Sequence, residues 1–269
     1  MRATILPISL IMSAYSASAQ PAAPQLSVDR LANYADIADL ALAAPVVARA
    51  TITNIAGVSS KQSGSAAPGR VRQAVTVRLG NLLVAPGSMA PTLSWLWDAP
   101  ADAKGRPPKA KGLDVLAFLA TPTADGGTRL ISRRAMQPYD PALADQVRAI
   151  IAENRSGTVP VITGVSNGFR ADGTLPGESE SQFFLTSSDG RATTLVVQNR
   201  PGEVRRVLVA RGDIIDESAQ RVKPGTLLWY RLACFLPATL PASAGGGDPA
   251  LARDWRDAMA SLGPCGRTS

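Results

Sequence analysis

The side chains whose types and spacing suit chemistry gather in a few short stretches. Gly177-Glu178-Ser179, inside LPGESESQFFL (175–185), begins the G-x-S-x-G pattern that exposes a nucleophilic serine on a strand-to-helix turn. Glu178 with Glu180, and Asp213 with Asp216 and Glu217, are close carboxylates of the kind that divide acid and base work in glycoside hydrolysis. Lys104, Arg106, Lys109 and Lys111 set four cations within eight residues, a grip for an anionic polymer. Cys234 and Cys265 are the only two cysteines.

The chain contains no histidine. Ser-His-Asp and Cys-His mechanisms are therefore excluded, as are H-E-x-x-H sites and nearly every catalytic zinc arrangement. Ser179 has no imidazole to take its proton, and Ser181 stands where the second glycine of the motif belongs. None of the five lysines lies in an S-x-x-K pattern. The stretch RADGTLPGESES reads instead as a loop of turn formers leading into a strand, QFFLTS. Glu178 and Glu180, two apart, share one face of an extended segment. Asp213 and Asp216, three apart in GDIIDE, suit the amino terminus of a helix. Gly245-Gly246-Gly247 lacks the lysine and context of a phosphate loop and reads as a flexible linker. No catalytic residue, metal or cofactor is assigned.

The amino terminus supplies a compartment. Arg2, the apolar run ILPISLIMSAY and the small residues SASAQ form a secretory signal peptide over 1–19, with cleavage between Ala19 and Gln20. The run is too short to span a membrane, and no other run approaches spanning length. The mature chain is expected in the periplasm or secreted. There Cys234 and Cys265 should form a disulfide worth roughly 3–4 kcal/mol on the loop-entropy account. The net charge of +7 rests on 23 Arg and 5 Lys, which attract an anionic envelope component or keep the chain soluble. Nucleic acid is not an expected partner of an exported protein.

The elements that must position these residues follow from periodicity. Ser27 reads as the cap of a helix whose apolar face is Leu31, Ala35, Ala38 and Leu42, with Asp29, Asn33 and Asp36 on the opposite face. VVARATITNI, VRQAVTVRLGNLLV, TLSWLWDA, LDVLAFLA and TRLISRR read as five strands. Trp95 and Trp97, at period two, share one strand face; they would serve as core or as stacking platforms beside the basic loop. Asp140 and Pro141 start a helix with Leu143, Val147 and Ile150 inward. Beyond NRSGTVP come the strand VITGVSNGF, the hairpin SQFFLTSSDGRATTLVVQN with its Asp189-Gly190 turn, and VRRVLVAR. PGTLLWYRLACFLP reads as a buried helix. Asp248, Pro249 and Gly263-Pro264 bound a last helix that buries Leu251, Trp255, Ala258 and Leu262.

These elements compose a β-rich α+β chain. An OB-like five-stranded barrel with flanking helices spans 27–155, and an antiparallel sheet with disulfide-stapled C-terminal helices spans 159–269. YADIADLALAAPVVARATITNI, VTVRLGNLLV and KGLDVLAFLA, across about residues 30–135, resemble exported bacterial domains whose OB-like barrel is akin to the netrin and tissue-inhibitor module. The resemblance implies a barrel entered through an Ala-Asp lead. It does not imply protease inhibition, because the cysteines that staple the eukaryotic module are absent here. GTLPGESESQFFL and TLLWYRLAC resemble other exported bacterial proteins, and that resemblance implies no activity.

The expectation is thus an exported, non-catalytic accessory protein whose partner is an envelope protein or an anionic polymer. A binding module built on Lys104–Lys111 and a carboxylate hydrolase using Glu178 or Asp213 are the alternatives. The protein recovered from its cell envelope is expected to lack residues 1–19 and to weigh two hydrogens less than the reduced chain. Intact mass spectrometry reads both, and a free-thiol mass would overturn the bridge.

Overall fold

A computed structural model describes residues 28, 29, 31, 33–211 and 219–268. Ser27, the cleavage pair Ala19 and Gln20, and Asp213, Asp216 and Glu217 lie outside the described residues. The elements run α1 (Tyr34–Ala43), β1 (Val46–Gly57), a one-turn α2 (Ser60–Ser63), β2 (Arg70–Val84), β3 (Thr92–Pro100), β4 (Asp114–Leu119), β5 (Met136–Pro138) and α3 (Pro141–Ser156). The second half adds β6 (Ile162–Asp172), β7 (Ser179–Ser187), β8 (Thr193–Asn199), β9 (Arg206–Arg211), β10 (Gln220–Arg221), α4 (Leu227–Phe235) and α5 (Pro249–Leu262).

The first five strands form a curled antiparallel sheet in the order β3-β2-β1-β4-β5. Its long central strand bends at register shifts after Val47, Ala48 and Ile52, so one strand reaches both β2 and β4. Gly80 permits the crossing, since a Cβ there would stand 3.2 Å from the Arg49 carbonyl oxygen. The sheet then closes on itself. Ser94 of β3 donates its N–H to the Gly126 carbonyl (3.0 Å) and accepts from the Thr128 N–H (2.9 Å), a parallel bridge. A meander of three strands, a first strand paired to the fourth, and parallel closure on the third make the barrel OB-like. Ile52, Val75, Val77, Leu93, Trp95, Trp97 and Val115 fill it.

The five-strand reading holds for the first four and slips on the fifth. TRLISRR forms no strand of its own: Thr128 joins the closing bridge, Leu130 bridges Leu119, and the paired strand lies later, at Met136–Pro138. Arg133 and Arg134 occupy the turn between them, where their charges reach water or an acid.

The second sheet has the order β10-β9-β8-β7-β6, a plain antiparallel meander. Between the two sheets lies a layer of helices, and a single apolar core runs through it from one sheet to the other. Val47, Leu116 and Phe118 enter that core from the outside of the barrel; Phe183, Leu195, Val197 and Val209 enter from the second sheet. β4 is thus buried on both faces, which accounts for the unbroken apolar run VLAFL after Asp114. Helices α3 and α5 begin as expected, at Asp140 and Asp248 side chains that accept N–H bonds from their first turns. PGTLLWYRLACFLP contains the expected helix, α4.

Two local readings are corrected. α1 starts at Tyr34 under an Asn33 cap, and Asp36 faces the interior with 2% of its surface exposed. Its carboxylate meets Arg134 Nη2 at 2.8 Å, the Thr268 N–H at 3.0 Å and the Thr268 hydroxyl at 2.5 Å. Gly245-Gly246-Gly247 is a packed turn rather than a linker. A Cβ on Gly246 would lie 2.2 Å from the Leu240 carbonyl oxygen, and one on Gly168 of β6 would lie 2.9 Å from that of Ala244.

Burial raises the Asp36 carboxyl, but hydrogen bonds from Arg134 and Thr268 outweigh it and hold it below the ordinary 3.8. A depressed folded-state value favours folding above the unfolded value, and that stability disappears as pH falls through the folded one. Asp36→Ala is expected to cost about 3 kcal/mol, because Arg134 and Thr268 lose their shared partner. Urea unfolding from pH 7 to pH 2 should show the variant lacking part of the wild-type acid dependence below about pH 4.

Candidate ligand-binding surface

Residues 46–138, which make the barrel, hold twelve Lys and Arg against four Asp and no Glu, a surplus of +8. The whole chain has +7, so the remainder is close to neutral. Three of those four acids are committed to arginines. Asp98 accepts from Arg72 at 2.6 and 2.8 Å, and that side chain holds its carboxyl below the usual range. Asp114 is held down by the Thr51 hydroxyl at 2.6 Å and by Arg49 at 2.5 Å, while Arg49 also lies over the Tyr139 ring. Asp102 pairs with Arg106 at 2.8 Å. The fourth, Asp125, closes its own turn through Thr123 at 2.5 Å. Lys61, Arg78, Lys104, Lys109, Lys111, Arg129 and Arg133 are left with no ion-pair partner among the described residues.

The basic loop is ordered by its own acid. Asp102 accepts from the backbone N–H groups of Lys104 (2.8 Å) and Arg106 (2.9 Å) as well as from the Arg106 side chain. Those bonds, the Arg106 N–H first, keep the Asp102 carboxyl charged to unusually low pH. Ala110 is fully buried against the barrel core and anchors the far side of the loop. Between these points Pro100, Arg106, Pro107, Pro108 and Lys109 line a cavity of about 440 Å³. Lys104, Lys109 and Lys111 are exposed and free to bind, whereas Arg106 is spent on Asp102. Trp95 and Trp97, 3% and 2% exposed, belong to the core and offer no stacking platform.

A second cavity, absent from the sequence reading, lies on the same strand. After the closing bridge at Ser94, β3 and the segment 128–133 part, leaving a gap of about 360 Å³. Arg72, Leu96, Arg129 and Arg133 line it, and Leu96 is 47% exposed. This seam borders β3 at residues 96–98 and the loop cavity borders its end at Pro100 and the two residues that follow, so the two are consecutive along the chain. The signal is present in TRLISRR, whose alternation assigns its arginines to strand positions.

The serine of LPGESESQFFL is structural. β7 starts at Ser179 itself, and the Ser179 hydroxyl accepts from Asn199 Nδ2 at 3.0 Å in a site only 4% exposed. Ser181 donates to Asp254 of α5 at 2.6 Å, and Arg170 of β6 meets the same carboxylate at 2.5 Å. Asp172, Glu178 and Glu180 do line one cavity of about 320 Å³. Glu178, however, accepts from the Leu175 N–H across its own turn, and Glu180 accepts from Gln182 and Gln198 at 2.9 Å. Both carboxylates are occupied in holding the loop and the β7–β8 pair. Cys234 and Cys265 are bonded to each other, joining α4 to the segment after α5. No group of ligand side chains suited to a metal occurs among the described residues. No helix there is long and apolar enough to cross a membrane.

No protein-family model matches this chain, and no curated protein is significantly similar to it. Ser179→Ala is expected to cost about 1 kcal/mol and Asp254→Ala about 3 kcal/mol, since the latter strands Ser181 and leaves Arg170 only its exposed partner Asp172. Denaturant midpoints of the two variants rank them, and the reverse order would overturn the structural role of this cluster.

Proposed function

We propose that the chain is an exported, non-catalytic binding module whose barrel grips an anionic polymer of the cell envelope. The observation that carries this reading is the confinement of the net charge to residues 46–138 with three of its four acids already paired. Free cations then outnumber free acids on the barrel, and a multivalent anion gains from several at once. On this reading Lys104, Lys109 and Lys111 supply one cluster, and Arg129 and Arg133 supply a second further along β3. An extended chain lying against that strand would meet both. The buried tryptophans argue against nucleic acid, which prefers aromatic stacking surfaces. On this reading the barrel is akin to the netrin and tissue-inhibitor module that its sequence resembles, without the cysteines that staple the eukaryotic form. An accessory protein recruiting an acidic protein partner through the same cations is the neighbouring reading.

Retention on a sulfated polysaccharide column tests the proposal. The wild type should bind at about 0.15 M ionic strength and weaken steeply with added salt. The variant Lys104→Ala/Lys109→Ala/Lys111→Ala, and separately Arg129→Ala/Arg133→Ala, should each weaken binding about ten-fold. Arg253→Ala/Arg256→Ala, two exposed cations on α5, should leave it unchanged. Equal losses in all three variants would overturn the barrel site in favour of non-specific charge.

A further inference from the structure

A different kind of cation lies in the helical layer. Arg231 of α4 is 6% exposed, yet no carboxylate comes within ion-pair distance of it among the described residues. Its Nη1 donates to the Val159 carbonyl oxygen and its Nη2 to Asn154 Oδ1 at 2.6 Å, both neutral acceptors. The acids that act on it through space are Asp189 and Glu153. Each is bonded elsewhere: Asp189 accepts from the Val161 N–H and pairs with Arg191, and Glu153 accepts from the Leu227 N–H. A buried charge without an opposite charge is costly, and proteins ordinarily pair it. Arg231 instead borders a cavity of about 420 Å³ between α1, α3, α4 and the start of β6, together with Asn154, the residue its Nη2 holds.

The rest of that cavity is mainly apolar. Leu42, Val161, Ile162 and Phe235 form its wall. Val161 and Phe235 are 38% and 45% exposed, two of seven large apolar side chains left in water among the described residues. Asp39 is the one acid on the lining, and it is already neutralised. Arg267 meets it at 2.6 and 2.9 Å and the Tyr230 hydroxyl donates to it at 2.5 Å. Arg267 also lies 5.4 Å from the Phe235 ring, which fixes that edge of the opening. An apolar wall, one convergent buried cation and a volume within the ~300–1,000 Å³ of small-molecule sites make a consistent set.

We infer that this cavity binds a small amphiphilic monocarboxylate, its carboxylate on Arg231 and its hydrocarbon body against Leu42, Val161, Ile162 and Phe235. A free inorganic anion would satisfy the arginine and leave the wall exposed. A neutral lipid alcohol would do the reverse. Only a molecule with both parts answers both features, and its single charge distinguishes it from the polymer assigned to the barrel.

Calorimetric titration of the disulfide-intact mature protein with decanoate, against 1-decanol as the uncharged control, tests the inference. Decanoate is expected to bind one to one, at least ten-fold more tightly than decanol. Phe235→Glu, an exposed change at the mouth that the fold should tolerate, is expected to abolish decanoate binding with an unchanged circular dichroism spectrum. Arg231→Met should bring decanoate down to the level of decanol, and if that variant fails to fold, Phe235→Glu and the decanol comparison decide. The barrel variants at Lys104, Lys109 and Lys111 should bind decanoate as the wild type does, which separates this site from the polymer site. No binding of decanoate, equal binding of decanol, or full binding by Phe235→Glu would each overturn it.

Discussion

The carboxylate of Asp36 is the point on which three otherwise separate parts depend. It sits on α1 and is shielded from water, so it must be answered by charge or by hydrogen bonds. Arg134 answers from the turn before β5, and Thr268 answers from the end of the chain with both its N–H and its hydroxyl. Arg134 and Thr268 also meet each other at 2.6 Å. Barrel, helix and C-terminal strap are thus closed into one network around a single anion. The Cys234–Cys265 bond delivers the strap to that network, because Cys265 lies three residues before Thr268 and is tied to α4. Next along α1, Asp39 repeats the device with Arg267 and Tyr230. Burial pushes the Tyr230 hydroxyl up to about 12, and its bond to Asp39 adds to the shift, so that proton stays in place across the physiological range.

Charge is divided between the two sides of this joint in opposite ways. In the barrel each of Asp98, Asp102 and Asp114 is consumed by a neighbouring arginine, so the remaining cations are exposed and uncompensated. Exposed cations cost little because water solvates them, and their number matters more than any one contact. In the helical layer the acids are used at close quarters to join elements: Asp254 holds Ser181 and Arg170, and Asp39 holds the strap. That division would not survive an average over the chain. A net charge of +7 spread across 269 residues describes a mildly basic protein; a surplus of +8 on one barrel describes a surface.

The sequence pattern identified most of the elements because their signals are local. Asp140-Pro141 and Asp248-Pro249 each announce a helix start within two residues, and period-two alternation in TLSWLWDA marks both the strand and its buried tryptophans. The failures are of another kind. Asp36 was placed on the solvent face because a charged residue on an amphipathic helix usually belongs there; its partners are 98 and 232 positions away, and no local pattern contains them. TRLISRR alternates like a strand, but the parallel closure at Ser94 takes up its beginning and the chain turns before it can pair further. Gly245-Gly246-Gly247 looked mobile because glycines permit motion, and here they permit contact. LPGESES leads into a strand as its turn formers predict, but the bond from Ser181 to Asp254 spans 73 positions, and no local pattern contains it.

The two proposed sites differ in the physics of their arginines and lysines, and that difference bears on how each arose. A surface cation can be gained or lost by single substitutions with little effect on the fold, so a polycationic barrel face is adjustable in strength. Arg231 has no such freedom. Its guanidinium is enclosed by α3, α4 and the chain leading into β6, and the Val159 carbonyl and Asn154 that it holds are parts of the same enclosure. An apolar residue of similar length would remove the desolvation cost and still fill the space, as replacements of buried charges elsewhere show. Stability alone therefore gives no reason to place an arginine there. A carboxylate brought in from outside would supply the missing counter-charge, and the enclosure that makes Arg231 costly when empty is what would make that contact strong when filled.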